Sequence, residues 1–170
     1  MDFILNFLSG IFTGTERDIL EIFMQLSLAV LLGGLIGFER ELAKKTAGMR
    51  TFALVALGAA MFSVISNYGF KSLIGLSGFD PSRIASQVVV GIGFIGGGSI
   101  IFSQSKVKGL TTAAGLWVAA AIGMAVGYKL YSIALFSTAL TIFVLVVMWY
   151  IEHKFVKKLQ GVAARDDEDH

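Results

Sequence analysis

Residues that often carry catalytic chemistry are scarce in this sequence. Its 170 residues include no cysteine, and its two histidines, His153 and His170, both lie near the C-terminus. Without cysteine there is no disulfide framework. The triplet Gly96-Gly97-Gly98 lacks the following Lys-Ser or Lys-Thr that a phosphate-binding P-loop requires. We therefore predict that the protein is not an enzyme.

Charged residues are also scarce, and they are absent from long stretches. They make up 15% of the chain, against about 25% in soluble domains, while 55% of the residues are hydrophobic. Each charge-free run approaches the ~20 residues that a helix needs to cross a bilayer, where it satisfies its own backbone. The predicted fold is therefore an all-α polytopic membrane protein with five transmembrane helices. The five runs without Asp, Glu, Lys or Arg are 22–38, 52–70, 84–103, 109–128 and 130–151.

The segments outside these runs divide the chain into three parts. Residues 2–12 place large apolar side chains on one helical face but are too few to span a bilayer, which predicts a short N-terminal amphipathic interfacial helix. We assign 1–18 to this helix and its polar collar, and 19–151 to a five-helix transmembrane domain. The remainder, 152–170, is predicted to be a short, partly disordered cytoplasmic tail.

Local signals predict two helix boundaries. Glu41 and Lys45 stand four residues apart, which is a favourable helical pair, so the first helix is expected to continue past the membrane and to stop at Gly48. Asp80 is suited to cap the third span, with Pro81 in the first helical position, where a missing N–H costs nothing.

The basic residues are distributed unevenly between the two sides of the predicted bundle. With five spans, the N-terminus, the loop between the second and third spans and the turn between the fourth and fifth share one side, which carries four Lys or Arg residues. The other ten lie on the opposite side. Because basic loops are retained in the cytoplasm, we predict that the N-terminus is outside and the C-terminus is cytoplasmic.

The third span begins with charged residues and carries one amide in its apolar run. Asp80, Arg83 and Gln87 fall on one helical stripe that continues through Gly91 to Gly98. Lipid does not readily accept an amide or bare glycine backbone, so the stripe is expected to face protein. Gln87 is interpreted either as an interhelical hydrogen-bonding group or as a pathway residue. Asp80 and Arg83 are either a cap with a neutralising neighbour or an outer functional site. These three residues are the candidate polar stripe.

Glycines are abundant in the spans, and five of them fall among the eight residues 91–98. Glycines four residues apart let helices approach closely, within one bundle or across a dimer. A second interpretation of the run is a broken helix whose freed carbonyls coordinate a cation, and a third is a hinge. The predicted helix-packing seam comprises Gly33, Gly37, Gly91, Gly93, Gly97, Gly98, Gly123 and Gly127.

Charged residues on the predicted cytoplasmic side form a second group. Glu39 and Arg40 are expected to form an ion pair at the interface, and the basic members could bind anionic lipid headgroups. Asp80 lies about a bilayer thickness, ~30 Å, from the glutamates, so they cannot share one ion. Because magnesium is usually held by one or two carboxylates and waters, Asp80 is a candidate metal ligand only if an oligomer pairs two copies. The cytoplasmic charged cluster comprises Glu39, Arg40, Glu41, Arg50, Lys106 and Lys108.

Several ordered motifs resemble those of the MgtC/SapB family of bacterial inner-membrane proteins, over about residues 20–150. The resemblance implies a five-span protein of the inner membrane that is linked to growth in low magnesium and, in pathogens, to virulence. Longer members carry a cytosolic domain after the last span, where this sequence has 19 residues after Ile151. The motifs are Gly37-Phe38-Glu39-Arg40-Glu41, Ala47-Gly48-Met49-Arg50-Thr51, Asp80-Pro81-Ser82-Arg83 with Gln87 and 91–98, Gly109-Leu110-Thr111-Thr112, and 117–123.

Two functions follow from the residues and the resemblance. The leading hypothesis is a regulatory module in magnesium homeostasis that associates with itself, as a homo-oligomer with a dimer favoured, or with other inner-membrane proteins. Its basis is the number of glycine pairs beside the scarcity of ionisable groups inside the spans. The alternative is a transporter or channel for magnesium or another cation, with Asp80, Arg83, Gln87 and the 91–98 backbone lining the path. The lipid bilayer is a predicted partner, nucleic acid is not, and magnesium is the one candidate cofactor.

Overall fold

Helices dominate the computed structural model, which describes residues 16–69, 80, 82–103 and 106–156. The predicted N-terminal interfacial helix and the tail beyond residue 156 lie outside these described residues. Strands β1 (Ile101–Ser103) and β2 (Lys106–Lys108) pair as an antiparallel hairpin. The helices are α1 (Glu16–Leu42), α2 (Met49–Val64), α3 (Ser82–Gly98), α4 (Leu110–Gly127), α5 (Tyr131–Phe143) and the short α6 (Trp149–Ile151), with π-helical turns at Ile65–Gly69, Val144–Met148 and Glu152–Val156.

Four helical segments are long and apolar enough to cross a membrane: Ile19–Leu42, Met49–Tyr68, Leu110–Gly127 and Tyr131–Ile151. The fifth helix, α3, has 17 residues and rises about 26 Å, which is less than the ~30 Å of a hydrocarbon core. Four of the five predicted spans thus correspond to helices of spanning length, and the third predicted span, which contains α3, does not reach that length.

The third charge-free run does not form one helix, and the all-α prediction needs a correction here. The helix ends at Gly98, and residues 101–103 of the run form β1 of the hairpin instead. The end of α3 falls on three consecutive glycines, each of which costs a helix about 1 kcal/mol relative to alanine. The N–H groups of Ser99 and Ile100 turn back to the carbonyls three residues earlier and close the helix.

The core of the bundle lies between α1, α2 and α4. The central helix is α2, which packs against α1 on one side and α4 on the other. Phe52 of α2, Ile36 of α1 and Leu116 of α4 are almost completely buried there. The other two long helices, α3 and α5, pack mainly against α4 and complete the bundle from outside.

The two ends of the bundle differ in charge. At one end, Lys129 in the turn between α4 and α5 forms an ion pair with Glu21 of α1, and its Nζ lies 5.3 Å from the centre of the Tyr68 ring in the π-helical turn after α2. We call this the Lys129 end. The opposite end, called the basic end below, holds the α1–α2 turn, the hairpin and the start of α4. Its basic side chains include Arg40, Lys44, Lys45, Arg50, Lys106 and Lys108.

The first helix stops before the predicted boundary. It ends at Leu42, because Lys44 adopts the left-handed conformation with φ 53° and the chain closes a Schellman turn. Gly48 does not end α1 but occupies the N-cap position of α2. The Glu41 carboxylate accepts the backbone N–H of Met49 at 3.1 Å, so it contacts the start of the next helix instead of forming the predicted pair with Lys45.

Candidate functional site

The predicted polar stripe lies along α3. The backbone N–H of Arg83 donates to the carbonyl of Asp80 at 3.3 Å, so Asp80 stands at the start of the helix as expected. Further along, Gln87 is exposed and Phe94 is 87% exposed. No other helix of the described chain covers these two side chains, so the expectation that the stripe faces protein is not met at Gln87 and Phe94.

A cleft of about 920 Å³ separates α2 from α3, and we call it the α2–α3 cleft. Its walls are mostly apolar, and buried Ala59 and Ala120 are among the residues that line it. Gln87 is part of the α3 wall. Arg50 belongs to the lining at the basic end, and Arg83 belongs to it at the Lys129 end. Thus two of the three stripe residues contribute to one cavity.

Four of the predicted seam glycines hold α1 and α4 against α2. A Cβ added to Gly33, Gly37, Gly123 or Gly127 would lie between 2.1 and 2.6 Å from its nearest atom, and each of those atoms belongs to α2. Real Cβ atoms essentially never show such distances. These glycines therefore permit the close approach of helices that their spacing predicts.

The four seam glycines of α3 have no such contact. A Cβ added to Gly91, Gly93, Gly97 or Gly98 would meet no atom within 4 Å. Within the described chain they form no packing seam, and their role across a dimer stays a prediction. The helix is continuous through Gly98, and the carbonyls of Gly96 and Gly97 accept N–H groups three residues further on. This geometry contradicts a broken helix with freed carbonyls at this position.

The predicted charged cluster at the basic end divides into separate contacts. Arg40 is only 3% exposed, its Nη2 donates to Glu39 Oε1 at 2.6 Å and its Nε donates to Glu39 Oε2, which is the expected ion pair in bidentate form. Glu41 is occupied by the Met49 N–H. Among the described residues no carboxylate pairs with Arg50. The cluster is therefore not a single site.

The remaining members of the cluster, Lys106 and Lys108, lie on the hairpin. Both are exposed and occupy the same face of β2. The opposite face carries the cross-strand pair of Phe102 and Val107, and these two side chains are also exposed. The hairpin is thus basic on one face and apolar on the other.

Two polar features at other positions were missed by reasoning from the sequence. The first is the Glu21–Lys129 ion pair, 2.8 Å between Oε2 and Nζ. The hydrogen bond to Glu21, and then that to Tyr68, raises the pKa of Lys129 above its ordinary value of 10.5. The order of the spans placed both residues on the same side, but no local pattern joins them.

The second missed feature is Gln25 in α1. Its side chain is completely buried, and its Oε1 and Nε2 have no hydrogen-bond partner among the described residues. Buried amides are normally satisfied. The signal that could have identified it is its position as an amide inside the first charge-free run.

The acidic residues of the described chain are distributed between the two ends of the bundle. No group of three or more His, Asp or Glu residues comes together in the part of the chain that the structure describes. Asp80 stands at the start of α3, toward the Lys129 end, whereas Glu39 and Glu41 lie at the basic end and are engaged as described above. The separation of these acids agrees with the prediction that they cannot share one ion.

Comparisons with known proteins identify the family. The sequence profile of the MgtC family matches residues 26–154, which include most of the described helices. The chain belongs to the MgtC family. It is 43% identical over 140 residues to YhiD of Escherichia coli strain K12, a protein named as a candidate magnesium transporter. It is 48% identical over 117 residues to MgtC of Brucella abortus, and 45% identical over 115 residues to MgtC of Salmonella typhimurium.

The match does not extend over the whole of these relatives. It covers 81% of this chain and 65% of YhiD. For the Brucella MgtC protein it covers 69% of this chain and 47% of the relative. The chain thus spans between about half and two thirds of the length of the relatives it matches. No solved structure matches the chain. Family membership together with four apolar helices of spanning length identifies a membrane protein.

Proposed function

We propose that this MgtC-family protein acts in magnesium-related physiology as a regulatory module that associates through α3. The observation that carries the proposal is the outer face of this helix, defined by Val90, Gly93, Phe94 and Gly97. Gly93 and Gly97 stand four residues apart with open space above them, and Val90 and Phe94 are 70% and 87% exposed. Such a small-residue face lets a second helix approach closely in lipid.

A second copy of the chain is the partner that we propose for this face. A helix with a small-xxx-small pair can pack on the same pair of a twofold-related copy, so one surface serves both partners. The glycine pairs of α1 and α4 are already filled by α2, which leaves the pair on α3 for a contact between chains. A small-residue face on another inner-membrane protein could compete for the same surface, and this competition would make the association regulatory.

Disulfide crosslinking in native membranes tests the association, and the absence of natural cysteine gives it a clean background. Phe94→Cys should form a crosslinked dimer under mild oxidation. Leu35→Cys, on the exposed side of α1, should not. Adding Gly97→Leu to Phe94→Cys should abolish the crosslink while leaving the fold intact, because a Cβ at Gly97 meets no atom. If neither cysteine crosslinks in membranes, self-association through α3 is refuted.

Magnesium transport is the alternative function, and the name of YhiD as a candidate magnesium transporter favours it. In that case Asp80, Arg83 and Gln87 would line a path along α3. Purified protein in liposomes that enclose a magnesium-sensitive dye should then admit magnesium, and Asp80→Asn or Gln87→Ala should reduce the uptake. A preparation that forms the α3 crosslink but admits no magnesium would exclude this alternative.

We further propose that α3 is a fifth traverse and that the basic end lies in the cytoplasm, beneath a bacterial inner membrane. The helix runs beside α4, with Gly96 placed so that a Cβ would lie 3.6 Å from the Ala113 carbonyl oxygen. The concentration of Lys and Arg at the basic end supports its cytoplasmic location. This arrangement has the N-terminus outside and the C-terminus inside.

Labelling of single cysteines with an impermeant maleimide on intact cells tests this orientation. Ser132→Cys, at the Lys129 end, should be labelled from outside, and Lys45→Cys, at the basic end, should react only after the cells are opened. The reverse pattern would contradict the orientation. Labelling of both positions from one side would contradict the assignment of α3 as a fifth traverse, because α2 and α4 alone would return the chain to the same side.

A further inference from the structure

The α2–α3 cleft is a different surface from the outer face of α3, and we propose that it binds one anionic phospholipid from the leaflet at the basic end. Gln87, Gly91 and Ile95 of α3 line the cleft, whereas Gly93 and Gly97 do not. Filling the cleft therefore does not compete with the helix contact proposed above, and the two sites can be tested separately.

The shape of the cleft fits an extended acyl chain. Its lining follows α2 from Arg50 to Phe62 and α3 from Arg83 to Ile95, and twelve residues of helix rise about 18 Å. Its volume of about 920 Å³ is at the upper end of the range for sites that enclose small ligands. Gly58 and Gly91 border open space in the cleft, because a Cβ at either position would meet no atom within 4 Å.

The charges around the cleft favour an anionic headgroup. No acidic residue belongs to the described lining, and Arg50 is part of that lining at the basic end. The two nearest glutamates in the sequence are occupied, Glu39 by Arg40 and Glu41 by the Met49 N–H. Arg50 has no carboxylate partner among the described residues and lies beside the apolar cleft, so it could bind a lipid phosphate whose acyl chain occupies the cleft. A zwitterionic lipid would bring a cationic group beside Arg50 together with its phosphate, and an uncharged helix would leave Arg50 unpaired.

Native mass spectrometry of the full chain, released from mild detergent, provides the test. The protein is incubated with phosphatidylglycerol or with phosphatidylcholine at matched concentrations. We expect one phosphatidylglycerol bound per chain, with a preference of about five-fold over phosphatidylcholine, the factor that one basic residue at the membrane surface confers. Equal binding of the two lipids by the wild-type protein would overturn the proposal.

Three variants separate the headgroup from the acyl chain. Arg50→Gln should remove the preference for phosphatidylglycerol and retain weak binding of both lipids. Gly91→Leu should weaken the binding of both, because the leucine side chain fills the cleft while Arg50 remains. Lys45→Gln removes a cation at the same end that is not part of the lining, and it should keep the preference. The unfolding temperature of each variant in detergent checks that it is folded.

Three other results would count against the proposal. If Lys45→Gln costs as much preference as Arg50→Gln, the attraction is a general property of the basic end. If Gly91→Leu binds lipid as the wild type does, the acyl chain is not in the cleft. If the protein appears as a lipid-free dimer that Gly91→Leu converts to a monomer, the cleft is occupied by a second copy.

Discussion

Replacing Gly123 by alanine should force α4 away from α2. A Cβ at this position would lie 2.1 Å from the carbonyl oxygen of Ala56 and 2.9 Å from its Cα. Both are backbone atoms of the central helix, so no side chain can rotate to make room. The oxygen would have to move by more than about 1 Å to reach ordinary van der Waals contact, and with it the packing of the three core helices would change.

The expected magnitude follows from two opposing effects. Overpacking a well-filled interior costs about 1–3 kcal/mol, and the upper end applies when the obstacle is backbone. Alanine in place of glycine within a helix gains about 1 kcal/mol. The free energy of unfolding should therefore fall by about 2 kcal/mol, which corresponds to a decrease of about 4–8 °C in unfolding temperature for a chain of this size.

Thermal unfolding in detergent, followed by circular dichroism, measures this change because the protein is mostly helical. Gly58→Ala is the matched control, since it is a helical glycine of α2 whose Cβ would meet no atom within 4 Å. It should keep the helix-propensity gain and unfold at a slightly higher temperature than the wild type. The reasoning is refuted if Gly123→Ala unfolds at or above the wild-type temperature, or if Gly58→Ala falls as far.

Three further predictions concern local features of the bundle. Lys44→Gly should raise the free energy of unfolding by about 1 kcal/mol, because the backbone φ of 53° strains a lysine but not a glycine. Lys45→Gly is the control and should give no such gain in the same assay. Gln25→Leu should raise the free energy of unfolding by about 1–3 kcal/mol, because leucine has a similar volume and lacks the two buried amide atoms that have no partner among the described residues. A loss of stability would contradict this. The raised pKa of Lys129 means that its ion pair stabilises the fold fully below pH 10.5 and loses this effect only as the pH rises further. The difference in unfolding temperature between wild type and Lys129→Gln should thus be larger near neutral pH than well above pH 10.5.

The positions of the helices could largely be predicted from the distribution of charge. The runs 22–38, 52–70, 109–128 and 130–151 coincide with the four segments of spanning length to within a few residues. A charged side chain in the bilayer centre is costly wherever the neighbouring helices lie, so this signal is independent of packing. The Glu39–Arg40 pair was predictable for a related reason, because its members are adjacent in the sequence.

The third run shows where this reasoning stops. A charge-free stretch does not reveal that α3 ends at Gly98, because the end depends on the following hairpin and on a close contact beyond it. Gly109 has φ 94°, and a Cβ there would lie 2.1 Å from the carbonyl oxygen of Ser99. This contact joins the end of α3 to the start of α4, and no local pattern encodes it.

Composition and the order of the charge-free runs were sufficient to establish a helical membrane protein with most of its charge at one end, because transfer into lipid acts on each segment separately. They could not distinguish the glycines of α3 from those of α1 and α4, since a spacing of four residues is the same in a filled face and in an open one. The packing of α2 made that distinction: it fills the faces at Gly33, Gly37, Gly123 and Gly127, and leaves the α3 face open beside a cleft. The proposed partner and lipid sites depend on this difference, because each requires a surface that no helix of the described chain already covers.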